Sequence, residues 1–169
     1  MAQLFEIPGL NIYMQILVTL ISILIHVIAT RRKGRSESVV ELVAIYTIGL
    51  AGWFTISNGL LGHILYADQV ASNIGWPIQS GFQMELGFAA IGMGLVGAIG
   101  FWNKSFWLPF IIGKSSLMWG AGLTHILDMI QNDNFSPSNT GLIVYWDFLL
   151  PVLLIVLYTL YLRESKFRI

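Results

Sequence analysis

The sequence predicts an all-α polytopic membrane protein, a bundle of five transmembrane helices, and three observations carry that expectation. Five apolar stretches are each long enough to cross a bilayer, 56% of the residues are hydrophobic against 11% charged, and the basic residues gather after alternate stretches. An ordinary soluble domain carries about 25% charged residues. With a mean hydropathy of +0.72, the chain has too little polar surface to cover a water-facing exterior.

A hydrocarbon core about 30 Å thick takes about 20 apolar residues in helical form. The five stretches run over about 10–30, 39–66, 82–102, 106–130 and 141–162, and polar or Gly/Pro-containing segments such as Gly75-Trp76-Pro77 and Ser136-Pro137-Ser138-Asn139 separate them. In lipid only helices and closed barrels satisfy every backbone polar group, and these continuous runs lack the alternation of barrel strands. The N-terminal residues MAQLFEIPGLN lack a positive n-region and no small-residue cleavage site follows, so the first stretch is expected to persist as a helix. One transmembrane helical domain over 1–169, with no internal repeat and no soluble domain, is the expected organisation.

Orientation follows from the bases, because short loops rich in Lys and Arg stay in the cytoplasm. Arg31, Arg32, Lys33 and Arg35 follow the first stretch, Lys104 the third, and Arg163, Lys166 and Arg168 the fifth. All eight fall on one side of a five-span topology. The N-terminus is therefore expected outside and the C-terminus in the cytoplasm, in a multi-pass protein of the inner membrane. The ninth base, Lys114, lies inside the fourth stretch, about two turns from its cytoplasmic end. There it is expected to snorkel, with an inward orientation as the alternative.

Glycine concentrates on the second and third stretches, at Gly49, Gly52, Gly59 and Gly62 and again at Gly87, Gly92, Gly94, Gly97 and Gly100. Small residues let helix backbones approach closely in lipid. The second, third and fourth helices are expected at the centre, and the first at the periphery with His26 as an interfacial or packing residue. Most of the six tryptophans read as an interfacial belt, with Trp119 and Trp146 deep enough to line a pocket. Pro151 cannot donate to the carbonyl of Asp147, so a kink is expected there. The chain has no cysteine, which removes disulfides, thiolate metal sites and thiol catalysis, and its zero formal charge suggests no nucleic-acid partner.

Ionisable groups inside lipid are costly and mark function. His63, Glu85, His125, Asp128 and Asp147 all fall within about two turns of the expected outer ends of their helices, a layer roughly 10 Å deep. Asp68 lies just beyond. Imidazole with carboxylate suits zinc, iron, copper or manganese, and helix bundles build such sites from facing side chains. The candidate metal ligands are His63, Glu85, His125 and Asp147, with Asp128 as ligand or orienter. No HExxH or Glu-x-x-His repeat supports them. A metal-free reading pairs the same groups with one another and with Asn58, Gln83 or Tyr145. A haem between His63 and His125, beside Gly59, Gly62, Gly120, Ala121 and Gly122, is a third, opposed by the acidity of the surroundings.

The segment Gly75-Trp76-Pro77, Phe82-Gln83-x-Glu85, Gly87-Phe88-Ala89 and Gly92-x-Gly94 resembles the signature of a family of small bacterial membrane proteins of unknown function. The resemblance implies a helical membrane fold, marks Glu85 and the Gly-Trp-Pro loop as defining features, and supplies no activity. Physically, Gly75 frees the backbone, Trp76 suits the interface and Pro77 ends a helix, so the loop is expected to fold over the polar layer as a lid with Trp76 largely buried. Three functional classes stay open. They are a metal- or cofactor-bearing protein with possible enzymatic or redox activity, a small solute or proton carrier, and an accessory subunit of a larger membrane complex. A homo-oligomer is compatible with any of them.

Overall fold

The computed structural model describes residues 9–31 and 38–166, apart from the side chains of residues 31 and 80. Arg32, Lys33, Arg35 and Arg168, which entered the orientation argument, lie outside the described residues. The chain forms α1 (Leu10–Arg31), α2 (Val39–Ser57), which continues as a π-helical segment over Asn58–Leu65, α3 (Ala67–Ile74), α4 (Ser80–Ile99), α5 (Trp107–Asn132) and α6 (Leu142–Lys166). Five of these are long and fall where the apolar stretches predict. The short α3 is an addition, because its polar sequence ADQVASNI reads as loop. Among the described residues, four segments, Leu10–Thr30, Val39–Leu65, Gly81–Ile99 and Leu142–Lys166, are long and apolar enough to cross a membrane.

The closest packing joins α2 to α4. A Cβ on Gly52 would lie 2.3 Å from the backbone nitrogen of Ala98, one on Gly94 would meet the Gly52 carbonyl at 2.7 Å, and one on Gly59 would meet the Gly87 carbonyl at 2.7 Å. Gly52 and Gly59 are one heptad apart, as are Gly87 and Gly94, so two antiparallel helices touch backbone to backbone at both levels. A second seam joins α5 to α6, where a Cβ on Gly122 would come 2.7 Å from the Phe148 ring.

The apolar core lies towards one end of this bundle. Ala44, Ile48 and Ala51 of α2, Trp107, Phe110 and Ile111 of α5, and Leu150, Leu154 and Leu157 of α6 are all buried there. Trp107 is therefore no belt residue. Its ring is fully buried, its indole N–H donates to the Gly100 carbonyl at 2.7 Å, and it packs edge-on against Tyr161 with centroids 4.9 Å apart. Trp53 and Trp102 do face outwards.

Polar ties close the same end. Ser38 caps α2 by accepting from the Glu41 N–H at 3.2 Å, and its hydroxyl also donates to Glu164 of α6. Lys104 pairs with Glu41 and lies over the Tyr161 ring. Desolvation pulls the Lys104 ammonium down, but Glu41 and Tyr161 outweigh it and hold the group above its ordinary value, so the pair persists until alkaline pH and is lost as pH rises through that raised value. On α1, His26 Nδ1 meets the Tyr46 hydroxyl at 3.0 Å. Most of α1 is otherwise uncovered, as a peripheral helix should be, yet Ile12 and Gln15 near its start are buried.

The seam makes a testable demand. Gly52→Val puts methyl groups into an unyielding backbone contact and should cost about 3 kcal/mol or more, the upper end of overpacking penalties. Gly92, with nothing within 4 Å of an added Cβ, should accept alanine without loss. Thermal unfolding of both variants in detergent checks the contrast.

Candidate functional site

At the end opposite the apolar core, the site is built from the α3 turn inward. The carbonyls of Ala71 and Ser72 accept from the N–H groups of Trp76 (2.9 Å) and Gly75 (3.1 Å), which is a Schellman cap, and Gly75 takes the left-handed conformation at φ 85°. A side chain there would also strike Ser136 Oγ at 2.7 Å. The reversal brings Trp76 against α5. Its ring stacks on His125 with centroids 5.1 Å apart and planes 18° apart, and its indole N–H donates to Asp128 Oδ2 at 2.8 Å.

Asp128 is the hub of this closure. Its carboxylate also accepts from Asn132 Nδ2 at 2.7 Å and Asn134 Nδ2 at 2.6 Å, and Asn134 Nδ2 reaches the Ile74 carbonyl at 2.8 Å. The segments after α3 and after α5 are thus sewn together. Asn139, fully buried, sits beneath them, with Oδ1 2.7 Å from His125 Nδ1 and Nδ2 donating to the Asn134 carbonyl at 2.8 Å. Each histidine near this end follows one pattern, for His63 Nδ1 lies 2.7 Å from Oε1 of the buried Gln83. With the amide oxygens so assigned, both rings donate from Nδ1 and keep Nε2 as an acceptor.

Between the α2–α4 seam and the α5–α6 seam lies a cavity of about 230 Å³. Its polar wall includes Gln15 of α1, Asn58 and His63 of the π segment, Lys114 and His125 of α5, and Asp147 of α6. Trp76 and Trp146 line it as well, while Met118, Leu150 and Phe54 form part of its apolar wall. The π segment contributes directly, since a wider helical turn re-aims the side chains of Asn58 and His63, and such segments recur at functional sites. Lys114 faces the bundle, contrary to the expectation that it snorkels.

The sequence-predicted ligands do not converge on one point. His63, His125 and Asp147 share the cavity, but Glu85 is exposed and Asp128 is engaged at its rim. Among the described residues no group of three or more His, Asp or Glu side chains is placed to hold a metal ion. His63 pairs with Gln83, one of the partners expected for it, whereas Tyr145 is exposed. Trp76 is half-buried, neither free in solvent nor fully covered. Trp146 lines the cavity as expected and Trp119 does not. Sequence reasoning missed Gln15 and Asn11, which also line it. An i, i+4 amide pair in an otherwise apolar helix is a signal that could have found them. Asn139 offered none, being one of several polar residues in a loop.

The model of a family of unknown function, DUF6790, matches residues 11–167. The chain belongs to this family. The match spans all five long helices, the Gly-Trp-Pro turn and the cavity-lining residues, so the architecture described above falls within the family's region. No curated protein and no solved structure matches the chain. The resemblance to a family without assigned activity therefore stands, and the site must be read from its own chemistry.

That chemistry ties the closure at the Trp76 end to the imidazole. Asn139→Ala removes the amide that pairs His125 and should lower stability by about 1–3 kcal/mol, the cost of stranding a buried polar group. The unfolding midpoint in detergent, with iodide quenching of tryptophan fluorescence to follow Trp76, reads it. Unchanged stability would mean that His125 is held by packing alone.

Proposed function

We propose that the chain is a five-span inner-membrane protein, N-terminus outside and C-terminus cytoplasmic, whose cavity receives a small polar solute from the outer side, as a carrier or solute-binding protein does. The observation that carries this reading is the cavity wall itself. Two oppositely charged side chains and two imidazoles open onto one space inside a helical membrane bundle, and charges at such depth are retained for function.

Treating α5 as the fifth span is supported by its 26 residues, about 39 Å at 1.5 Å per residue. Its exposed side carries Leu108, Ile112, Leu123, Leu127 and Ile130, while Lys114 and His125 turn inward and lower its average hydropathy. Orientation is supported by the ties among Ser38, Glu41, Lys104 and Glu164, which gather the ends of α2, α4 and α6 at the basic side. The cavity then belongs to the outer half, beneath the Trp76 turn.

A chain without cysteine makes the test clean. In Ala121→Cys the thiol lines the cavity, and a membrane-impermeant methanethiosulfonate added outside should label it, because the reacting species is the hydrated thiolate. Leu123→Cys, pointing to lipid, should stay unlabelled. A tag at the N-terminus should be accessible from outside and one after Ile169 only from the cytoplasm. Ala121→Cys that resists the reagent from both sides would favour the accessory-subunit reading, with a sealed structural cluster.

A further inference from the structure

We propose that the ligand of this cavity is a small zwitterion, its acid group held by Lys114 and its ammonium group by Asp147. The inference rests on the reading that the cavity receives a solute, and it names the chemical class of that solute. Both side chains line the cavity, and each acts electrostatically on the other. Yet no hydrogen bond or direct ion pair joins either to the described residues, although Lys104 and Glu41 at the opposite end make one. Asp147 is 9% exposed as a residue, and its oxygens are not among the sealed, unpartnered atoms of the interior, so what exposure it has is toward the cavity.

Two inward-facing groups of opposite sign that line one cavity without a direct ion pair between them define what fits there. A simple anion would meet Lys114 but be repelled by Asp147, and a simple cation the reverse. A molecule carrying both signs satisfies both and restores the pairing that desolvated charges require. Gln15, Asn58 and the Nε2 atoms of His63 and His125 remain to hydrogen-bond the rest of it. Size agrees. A cavity of about 230 Å³ far exceeds the roughly 10–15 Å³ one water needs and falls below the roughly 300–1,000 Å³ of drug-sized sites. An α-amino acid and the headgroup of phosphatidylethanolamine share this chemistry.

The test uses the full chain in nanodiscs free of phosphatidylethanolamine, with binding read by calorimetry and by thermal shift. L-alanine and glycerophosphoethanolamine are the zwitterionic probes, and acetate and ethylamine are the matching halves. At least one zwitterion should bind at least tenfold more tightly than either half. Lys114→Met and Asp147→Asn should each weaken it at least tenfold, while Lys114→Arg retains measurable binding. Inclusion of phosphatidylethanolamine should compete if the ligand is a headgroup and leave affinity unchanged if it is a free solute. Should the neutral variants fail to fold, the wild-type probe series decides alone. A half-ligand binding as tightly as both zwitterions overturns the inference. So does absence of zwitterion binding by protein whose Ala121→Cys is labelled, a result that leaves the solute reading standing. An unlabelled Ala121→Cys instead removes that reading together with this inference.

Discussion

The backbone contact between α2 and α4 is the constraint on which the rest of the bundle depends. In lipid no hydrophobic force drives helices together, so association rests on close packing, and Gly52 against Ala98 and Gly94, with Gly59 against Gly87, leaves no room for any other residue type. This fixes the rotation of α4. Once Gly87 and Gly94 face α2, Gln83 must as well, being one turn earlier on the same side, and it pairs with His63. Glu85 is turned away by the same rotation, since two residues along a helix is more than half a turn.

The second consequence is a division of the bundle along its length. Near Lys104, Trp107, Phe110, Ile111 and Leu154 fill the space between the two seams with no exposed surface beyond a few per cent. Towards the Trp76 turn the cavity opens instead, where α2 gives way to the wider π segment and the facing positions carry Asn58, His63, Lys114 and Asp147. The structure therefore holds a dry end and a polar end. Asp128 and Asn134 close the polar end from above by binding together the two segments that cross it, and the indole of Trp76 bridges that closure to the imidazole of His125.

Five long helices were legible because each carries about 20 apolar residues, a signal set by bilayer thickness and hardly dependent on partners. That His63, His125 and Asp147 fall at one level of the bundle was legible too, since 1.5 Å per residue converts sequence position into height. Rotation about the helix axis was harder. Lys114 was assigned to the interface from its height alone, and only the orientation of α5 places it in the cavity. Glu85 was placed among the ligands although its offset from the glycine face already put it on the far side. Asp128 does share a face with His125, as the i, i+3 spacing requires, but three donors, Trp76, Asn134 and Asn132 of the same helix, occupy it. The π segment left no mark in the sequence beyond its glycines, and α3 read as loop because eight residues, half of them polar, form no membrane signal.

One end of the bundle is dry and the other wet, a difference that amide hydrogen exchange of the protein in nanodiscs measures most directly. Peptides covering 58–65 and 117–125 should exchange far faster than those covering 42–51 and 104–112, because water reaches the amides around the cavity and not those around the apolar core. Uniform protection along α2 and α5 would contradict it.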